Sequence, residues 1–538
     1  LFHKTFDVGT VAYGGIVRSL CRVSAIVLVV YGGLLFLTYL GFREVPVGFV
    51  PAQDKGYALA MVQLPEGASR LRTDALLDRV IEELDSFDAV AHHVTVSGYS
   101  AITGAAGSNQ ATLFMVFEDF EHRKSPEKSG DAIIAQLNER FQKFPEGYLV
   151  AFGAPPVAGL GSTGGSKLYV QDKAGLGFAA LGELSAELAR SLSAQPQIAN
   201  ASTSFRAGTP KLRVEIDREK AKSMGVSLSS INNGLAVLLG GAYVNDVTLF
   251  GRSYQVKAQA ESSERVSRDD VLRLKALNSA GEQVPYAALM TIADTTGTAT
   301  VTRFNMAPSA DVTIVPAPGT SSGATIALAQ DLAAQVLPAS MGIAWTEIAF
   351  QQLRAGNVAL LIFPLSVLFV FLVLAAQYES WALPVAIVMI VPMCLLASIG
   401  GLWLLGREND IFVQIGFVVL VGLACKNAIL IIEFAKQIQE QRQLAFIDAA
   451  VEAAKTRLRP ILMTSAAFGL GVVPLIIKSG AGAEMRQSLG TAVFCGMIGV
   501  TLFGIFLTPV FYTVIMFFAG KKKAAVEEEA PAAHAPAH

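Results

Sequence analysis

Ile411-Phe-Val-Gln-Ile-Gly-Phe-Val-Val-Leu-Val-Gly-Leu-Ala-Cys-Lys426-Asn-Ala-Ile-Leu-Ile-Ile-Glu433-Phe434 is an apolar run with a lysine inside it. A helix needs about 20 apolar residues to cross a bilayer, so this run is long enough. At about 1.5 Å per residue the Lys426 ammonium lies roughly 22 Å from one end and 12 Å from the other. A lysine stem can bury its methylenes and lift its head to water, but it reaches only about four carbons. Placing Lys at a helix centre costs about 2.5–3.5 kcal/mol on the lenient insertion scale. A cost of that size points to a charge relay or to a buried partner elsewhere in the protein. Glu433 is seven residues on, hence on the same face, and Asn427 is adjacent.

The rest of the chain fits a membrane protein with a large water-facing part. It is 52% hydrophobic with mean hydropathy +0.47, too apolar for a soluble domain and too long to be membrane helix throughout. The net charge of −2 gives no reason to expect nucleic acid. Cys21, Cys394, Cys425 and Cys495 all fall in or beside apolar stretches without CxxC spacing, so neither a disulfide framework nor a zinc site is indicated. Six stretches reach spanning length: 23–41, 356–376, 383–405, 411–434, 460–478 and 488–518. Basic residues cluster before the first (His3, Lys4, Arg18, Arg22), between the fourth and fifth (Lys436, Arg442, Lys455, Arg457, Arg459) and after the sixth (Lys521, Lys522, Lys523). Counting spans puts all three clusters on one side, the cytoplasm, with both termini there and the 42–355 insert on the other side. A low-complexity Ala/Glu/Pro tail from Ala524 is expected to be disordered.

Inside the insert, strand-like and helix-like runs alternate: 57–64, 68–84 and 93–97, then 113–117, 131–144 and 148–152, then 167–171, 178–192 and 198–205. Repeated βαβ units with short links read as small α+β subdomains with helices on one face. The pattern shifts from Thr209 to Ala293, where a Gly-rich hairpin is expected around Gly240–Lys257, and returns over Thr300–Glu347.

The Gly-rich stretch Gly159–Gly165 lacks a following Gly-Lys-Ser/Thr, so it is a loop and no P-loop. Any work done would draw on an ion gradient. An unpartnered buried Lys426 would lose its proton, which calls for a carboxylate facing it, and the other spans carry no Asp or Glu at depth. Together with Leu1 in the first position, this reads as part of a longer polypeptide. In the fifth span Pro460 suits a helix first turn, and Arg457 and Arg459 can anchor at headgroups. Arg457 and Thr464 are seven apart on one face and with Lys426 could line a polar track. Val94, Val96, Tyr99 and Phe114 flank a Gly/Ala/Ser-rich segment, Gly98–Asn109, expected to be a mobile exposed loop beside a greasy cavity, with ordinary core as the plain alternative. His92 and His93 have no third ligand at metal spacing.

The runs Gly422–Lys436 and Arg457–Ser465 closely resemble the resistance–nodulation–division (RND) efflux pumps. The hairpin Gly240–Asp246, with Val62–Gly67, Asp217–Gly225 and Ala376–Trp381, resembles the hydrophobe/amphiphile branch, of acriflavine-resistance type. The resemblance covers essentially all of 1–520 and matches the C-terminal half of the family pattern.

That resemblance implies a six-span α-helical membrane protein, arranged 1+5, with a periplasmic α+β insert of ferredoxin-like porter subdomains and a docking subdomain. The expected layout is an amphipathic helix over 1–22, a first span over 23–41, porter over 42–208 and 297–350, docking over 209–296, five spans over 351–518 and a cytoplasmic tail over 519–538. It implies a proton-driven exporter of small amphiphilic substrates in a Gram-negative inner membrane. The exporter would be a homotrimer joined to a periplasmic adaptor and an outer-membrane channel, using the proton gradient and no cofactor or metal. Lys426, Arg457 and Thr464 match the family's proton relay, whose paired aspartates belong to the N-terminal half. Val94, Val96, Tyr99 and Phe114 match drug-pocket positions, although Val94 stands where an aromatic often sits. Gly98, Gly104 and Gly107 fall in the switch loop, and Tyr243, Asn245 and Asp246 on the docking hairpin. Alone, the chain is expected to be inactive. A heavy-metal exporter would need stepped Met or carboxylate ligands, and Met61 and Met115 are too few. A non-transporting membrane platform has no reason to bury Lys426.

Overall fold

The computed structural model describes residues 2–528 except 103, 162 and 357, and their side chains outside 2–5, 358–360 and 519–528. Helix α1 (Phe2–Arg22) buries Tyr13, Val17 and Cys21 and leaves Val8, Val11 and Ile16 exposed. Val23 alone separates it from α2 (Ser24–Glu44).

The first sheet follows from alternation. Strand β1 (Tyr57–Gln63), helix α3 (Arg70–Asp85), strands β2 (Val90–Tyr99) and β3 (Ala106–Phe117), helix α4 (Gly130–Phe141) and strand β4 (Tyr148–Gly153) form an antiparallel sheet of order β2-β3-β1-β4. Ala58, Ala60, Val62, Leu113 and Met115 point to one face and pack with Leu76, Val80, Ile133 and Leu137 of the two helices. Ser69 and Ser129 cap those helices by accepting from the Arg72 and Ala132 amides. Strand β5 (Ser166–Asp172), helix α5 (Phe178–Ser193) and strand β6 (Ile198–Ser202) begin a second unit of the same kind.

Residues 205–301 form a separate compact unit. Its elements are β7 (Thr209–Ile216), α6 (Arg218–Ser223), α7 (Leu228–Leu235), the hairpin β8 (Ala242–Leu249) and β9 (Arg252–Ala258), α8 (Arg268–Arg273), β10 (Lys275–Leu277), β11 (Gln283–Pro285) and β12 (Met290–Gly297). Strands β7 and β12 pair along their whole length, and Ile231, Tyr286 and Leu289 form a fully buried centre. The hairpin turns at Phe250 (φ 51°) and Gly251 (φ 75°), both left-handed as a tight primed turn requires.

The second sheet is then completed by β13 (Thr302–Phe304), β14 (Ala307–Pro316), helix α9 (Ser322–Val336) and β15 (Met341–Thr346). Strand β14 pairs with β6, β13 and β5, and β5 with β15. The order β6-β14-β5-β15 repeats β2-β3-β1-β4, so the split βαβ connectivity occurs twice and the 205–301 unit is inserted in the second copy.

Helix α10 (Glu347–Ala355) precedes α11 (Val358–Tyr378), α12 (Ala382–Val388), α13 (Val391–Leu404), α14 (Ile411–Arg442), α15 (Phe446–Ile477) and α16 (Ala483–Glu528). Among the described residues, six helical segments are long and apolar enough to cross a membrane: 24–44, 361–378, 382–404, 411–442, 446–477 and 483–518. Pro392 accompanies a break between α12 and α13 within one of them. Helix α15 begins at Phe446, so Pro460 lies inside it and not in a first turn. The last helix continues to Glu528, past Ala524; of the low-complexity tail, 529–538 lie outside the described residues.

Candidate functional site

Helices α14 and α15 carry the polar groups that the sequence singles out. Asn427 is buried and donates its amide to the Ser465 hydroxyl at 3.2 Å. Arg457 sits over the Phe434 ring, 3.4 Å from its centroid, and its buried Nε has no hydrogen-bond partner. These two contacts fix an antiparallel register in which each step along α14 is matched by a step back along α15. Thr464, whose hydroxyl donates to the Ile461 carbonyl at 3.1 Å, therefore lies level with Lys426. Arg457, seven residues from Thr464, lies about 10 Å further along the axis. The structure thus sets Thr464 near the level of Lys426 along the helix axes, without a contact between them, and sets Arg457 apart, near the end of the apolar run. Lys426 is exposed on the flank of α14 and, among the described residues, has no hydrogen bond or ion pair. No group of three metal-ligating side chains occurs among the described residues.

Of the four apolar positions of the insert, Val94, Val96 and Phe114 share the sheet face that turns away from α3 and α4, and Tyr99 follows beyond a register shift. Val94 is directly opposite Phe114, Val96 opposite Thr112, and Tyr99 opposite Ala106 after a register shift. Val94 is 62% exposed, and Val96, Tyr99 and Phe114 are near 40% (37%, 39% and 37%), so they form an open apolar surface and not a closed core. Beside them Leu59, Met61, Val150 and Phe152 are buried under Ala101 and Ile102. A cavity of about 20 Å³ opens where Met61, Ile102 and Phe152 meet Asn200, Asp311 and Thr313 of the second sheet, space for about one water.

Gly98 lies in β2 with φ 81°, Gly107 lies in β3, and Gly104 has φ 67°. The connection is therefore only 100–105, shorter than the Gly98–Asn109 loop expected from composition. It is also tied down. The Thr112 hydroxyl donates to the Tyr99 carbonyl at 3.0 Å and accepts from the Ala101 amide at 2.9 Å. Ser100 is 1% exposed.

In the 205–301 unit Tyr243, Asn245 and Asp246 lie on β8, with a register irregularity between Tyr243 and Asn245. All three are exposed, and Phe250 at the turn is 98% exposed. A hydrogen bond to Asp246 raises the Tyr243 phenol above its ordinary range.

Sequence reasoning missed the segment 45–56, which carries no apolar period. Its Pro46 carbonyl accepts from the Asn409 amide (2.8 Å), and its Phe49 carbonyl from the Ile411 amide (3.0 Å) at the start of α14. Its Val47 carbonyl accepts from Gly323 in α9 (3.2 Å), and its Asp54 carbonyl from Gly482, just before α16 (3.1 Å). The Asp54 carboxylate accepts from Arg123 (2.8 and 3.2 Å) and from the Gly56 and Gly130 amides (2.9 and 2.8 Å). Burial alone would raise the Asp54 carboxyl, but Arg123 and the two amides outweigh it and hold it below the carboxylate range. This strap joins the loops before α14 and α16 to helix α9 through backbone hydrogen bonds, and to Arg123 and the start of α4 through the Asp54 carboxylate. Beside it, in the loop before α14, burial and the neighbouring Asp410 push Glu408 up to about 7.

Comparison with known proteins places these features in a family. The AcrB/AcrD/AcrF family model matches residues 1–516. The chain is 35% identical over 524 residues to the toluene efflux pump membrane transporter TtgB of Pseudomonas putida, covering 97% of this chain and 49% of that protein. It is 36% identical over 521 residues to the multidrug export protein AcrF of Escherichia coli, covering 96% and 50%. It is 34% identical over 533 residues to the multidrug resistance protein MdtF of the same organism, covering 97% and 50%. The chain spans about half the length of these curated relatives. On the match over 1–516 the chain belongs to the AcrB/AcrD/AcrF family, the RND efflux transporters.

Proposed function

We propose that the chain is the C-terminal half of a proton-driven exporter of drugs and other amphiphiles, working as an antiporter in a Gram-negative inner membrane. The observation that carries this reading is Lys426: an ammonium at bilayer depth, level with Thr464, without a partner among the described residues. Its place on a helix flank suits a carboxylate supplied by another part of the pump. Protonation of that carboxylate would release Lys426, and α14 would then have two states to move between. Arg457 would act further along the same interface.

On this reading the helices are arranged as one span, then five, with both termini cytoplasmic. The two split βαβ units are the ferredoxin-like porter subdomains, in the periplasm. The open Val94, Val96, Tyr99 and Phe114 face takes apolar substrate surface, and the 100–105 turn edges it. The 205–301 unit is the docking subdomain. Its hairpin reaches a neighbouring copy in a homotrimer that meets a periplasmic adaptor and an outer-membrane channel. Without its other half the chain does not transport.

The test is dye efflux from cells carrying the complete pump polypeptide with Lys426→Met. Loss of gradient-dependent efflux with unchanged membrane expression is expected, and undiminished efflux would remove the relay role. Gradient-dependent export by residues 1–538 alone would overturn the half-pump reading.

A further inference from the structure

Outside these sites, α1 and the start of α15 enclose a groove with a polarity gradient. Phe6, Gly9, Thr10 and Tyr13 recur on one face of α1 and stand across from Leu458 and Leu462, leaving an open, almost wholly apolar space of about 420 Å³. Its walls are fixed. The Tyr13 hydroxyl donates to the Ile505 carbonyl at 2.6 Å, a carbonyl that lacks its helical partner because Pro509 has no N–H. Arg18 pairs with Asp448 at 2.7 Å and pins the other end of α1 along α15.

The groove runs antiparallel to α15. At one end Gly14, having no side chain, lets the Lys455 stem lie across α1; any Cβ there would collide with it. At the other end Leu462 lies past Pro460, inside the apolar run, with Phe6 of α1 lining the same space. Lys455 and Arg459, one residue from Leu458, have no ion pair or hydrogen bond among the described residues. A basic end at headgroup level and an apolar trough leading into the bilayer have the polarity of a phospholipid.

We propose that this groove holds one acyl chain of an anionic phospholipid, with its phosphate at Lys455 and Arg459. The inference needs only the bilayer placement of α15 and α16 and is independent of transport.

The test uses the full 538-residue chain, purified in detergent, stripped of lipid and titrated with phosphatidylglycerol or phosphatidylcholine of equal acyl composition under native mass spectrometry. One tightly retained phosphatidylglycerol is expected, favoured over phosphatidylcholine about thirtyfold, a factor of about five for each of the two basic residues near an anionic surface. The paired change Lys455→Gln and Arg459→Gln brings that preference to near unity. Gly9→Trp, at a position with open space in front of it, fills the trough and lowers retention of both lipids about tenfold or more. Leu462→Trp does the same from the other wall. Gly33→Trp, on an open part of α2, changes neither and serves as the control. Undiminished retention in Gly9→Trp and Leu462→Trp, both with unchanged thermal midpoints, overturns the proposal. So does a headgroup preference that survives the paired change, or displacement of the bound species by inorganic phosphate.

Discussion

The Asn427 amide and the Ser465 hydroxyl hydrogen-bond to each other in the buried seam between α14 and α15, one residue along from Lys426 and Thr464. Neither group has water to fall back on, so the bond selects one register of the two helices. Lys426 therefore owes its level against Thr464 to its neighbour in the chain.

A double-mutant cycle of Asn427→Ala and Ser465→Ala measures that link. The expected coupling is about 0.6 kcal/mol, and no more than about 1.7, as for hydrogen bonds between membrane helices. Additive thermal destabilisation by the two changes would show that helix packing alone sets the register.

Glu408 gives the chain a downward stability slope with rising pH. Its carboxyl is raised to about 7 by burial and by Asp410. Between its ordinary value near 4.3 and 7 the unfolded chain has lost the proton while the folded chain keeps it, so the folded state is disfavoured as pH rises. The loss is on the order of 3 kcal/mol across that window. Thermal midpoints of Glu408→Gln against the unmodified chain should converge at high acidity and separate toward neutrality, with the variant the more stable.

Asp54 works in the opposite direction. Its carboxyl is held low, so its contribution is full above the ordinary aspartate range and fades as pH falls through its folded value. Asp54→Asn leaves the Arg123 guanidinium, 2% exposed, without its counter-charge and should destabilise by about 3–5 kcal/mol. A fall in the unfolding midpoint at pH 7 that shrinks on acidification checks this, and a pH-independent effect would refute the charge argument.

Thr112 is expected to hold the 100–105 turn. Thr112→Val keeps the shape but removes both hydroxyl bonds, to the Tyr99 carbonyl and from the Ala101 amide. At about 1 kcal/mol per bond, amide exchange at Ala101 should quicken roughly tenfold or more. Unchanged exchange there would mean that backbone contacts suffice.

The membrane helices were legible because a bilayer demands a fixed apolar length, and runs such as 411–434 meet it. Their ends were not. Residues 446–459 carry Asp448, Glu452, Lys455, Arg457 and Arg459, so the hydropathy signal stops at the headgroups while the α15 ladder continues. Gly98 and Gly107 read as loop by composition but lie within strands, at the register shift between Ser97 and Tyr99 where neither is paired directly across, and a β-bulge leaves no such mark in composition. Heptad spacing put Arg457 and Thr464 on one face of one helix. It could not say where α14 lies against them, which is why Arg457 stands apart from Lys426. The Asp54–Arg123 clamp bridges 69 residues and leaves no local pattern to read.

The insertion of 205–301 also bears on how the chain folds. The β6–β14 pairing joins Ser202 to Thr313 across the whole insert, a closure that chain entropy penalises and that slows folding. The insert's own first and last strands pair, Thr209 against Gly297, so once it has folded it brings its flanks together. The effective loop then shortens by about two doublings, worth on the order of 1.2 kcal/mol. Kinetically, the 205–301 unit is a staple whose closure favours the zipping of the second sheet by about eightfold.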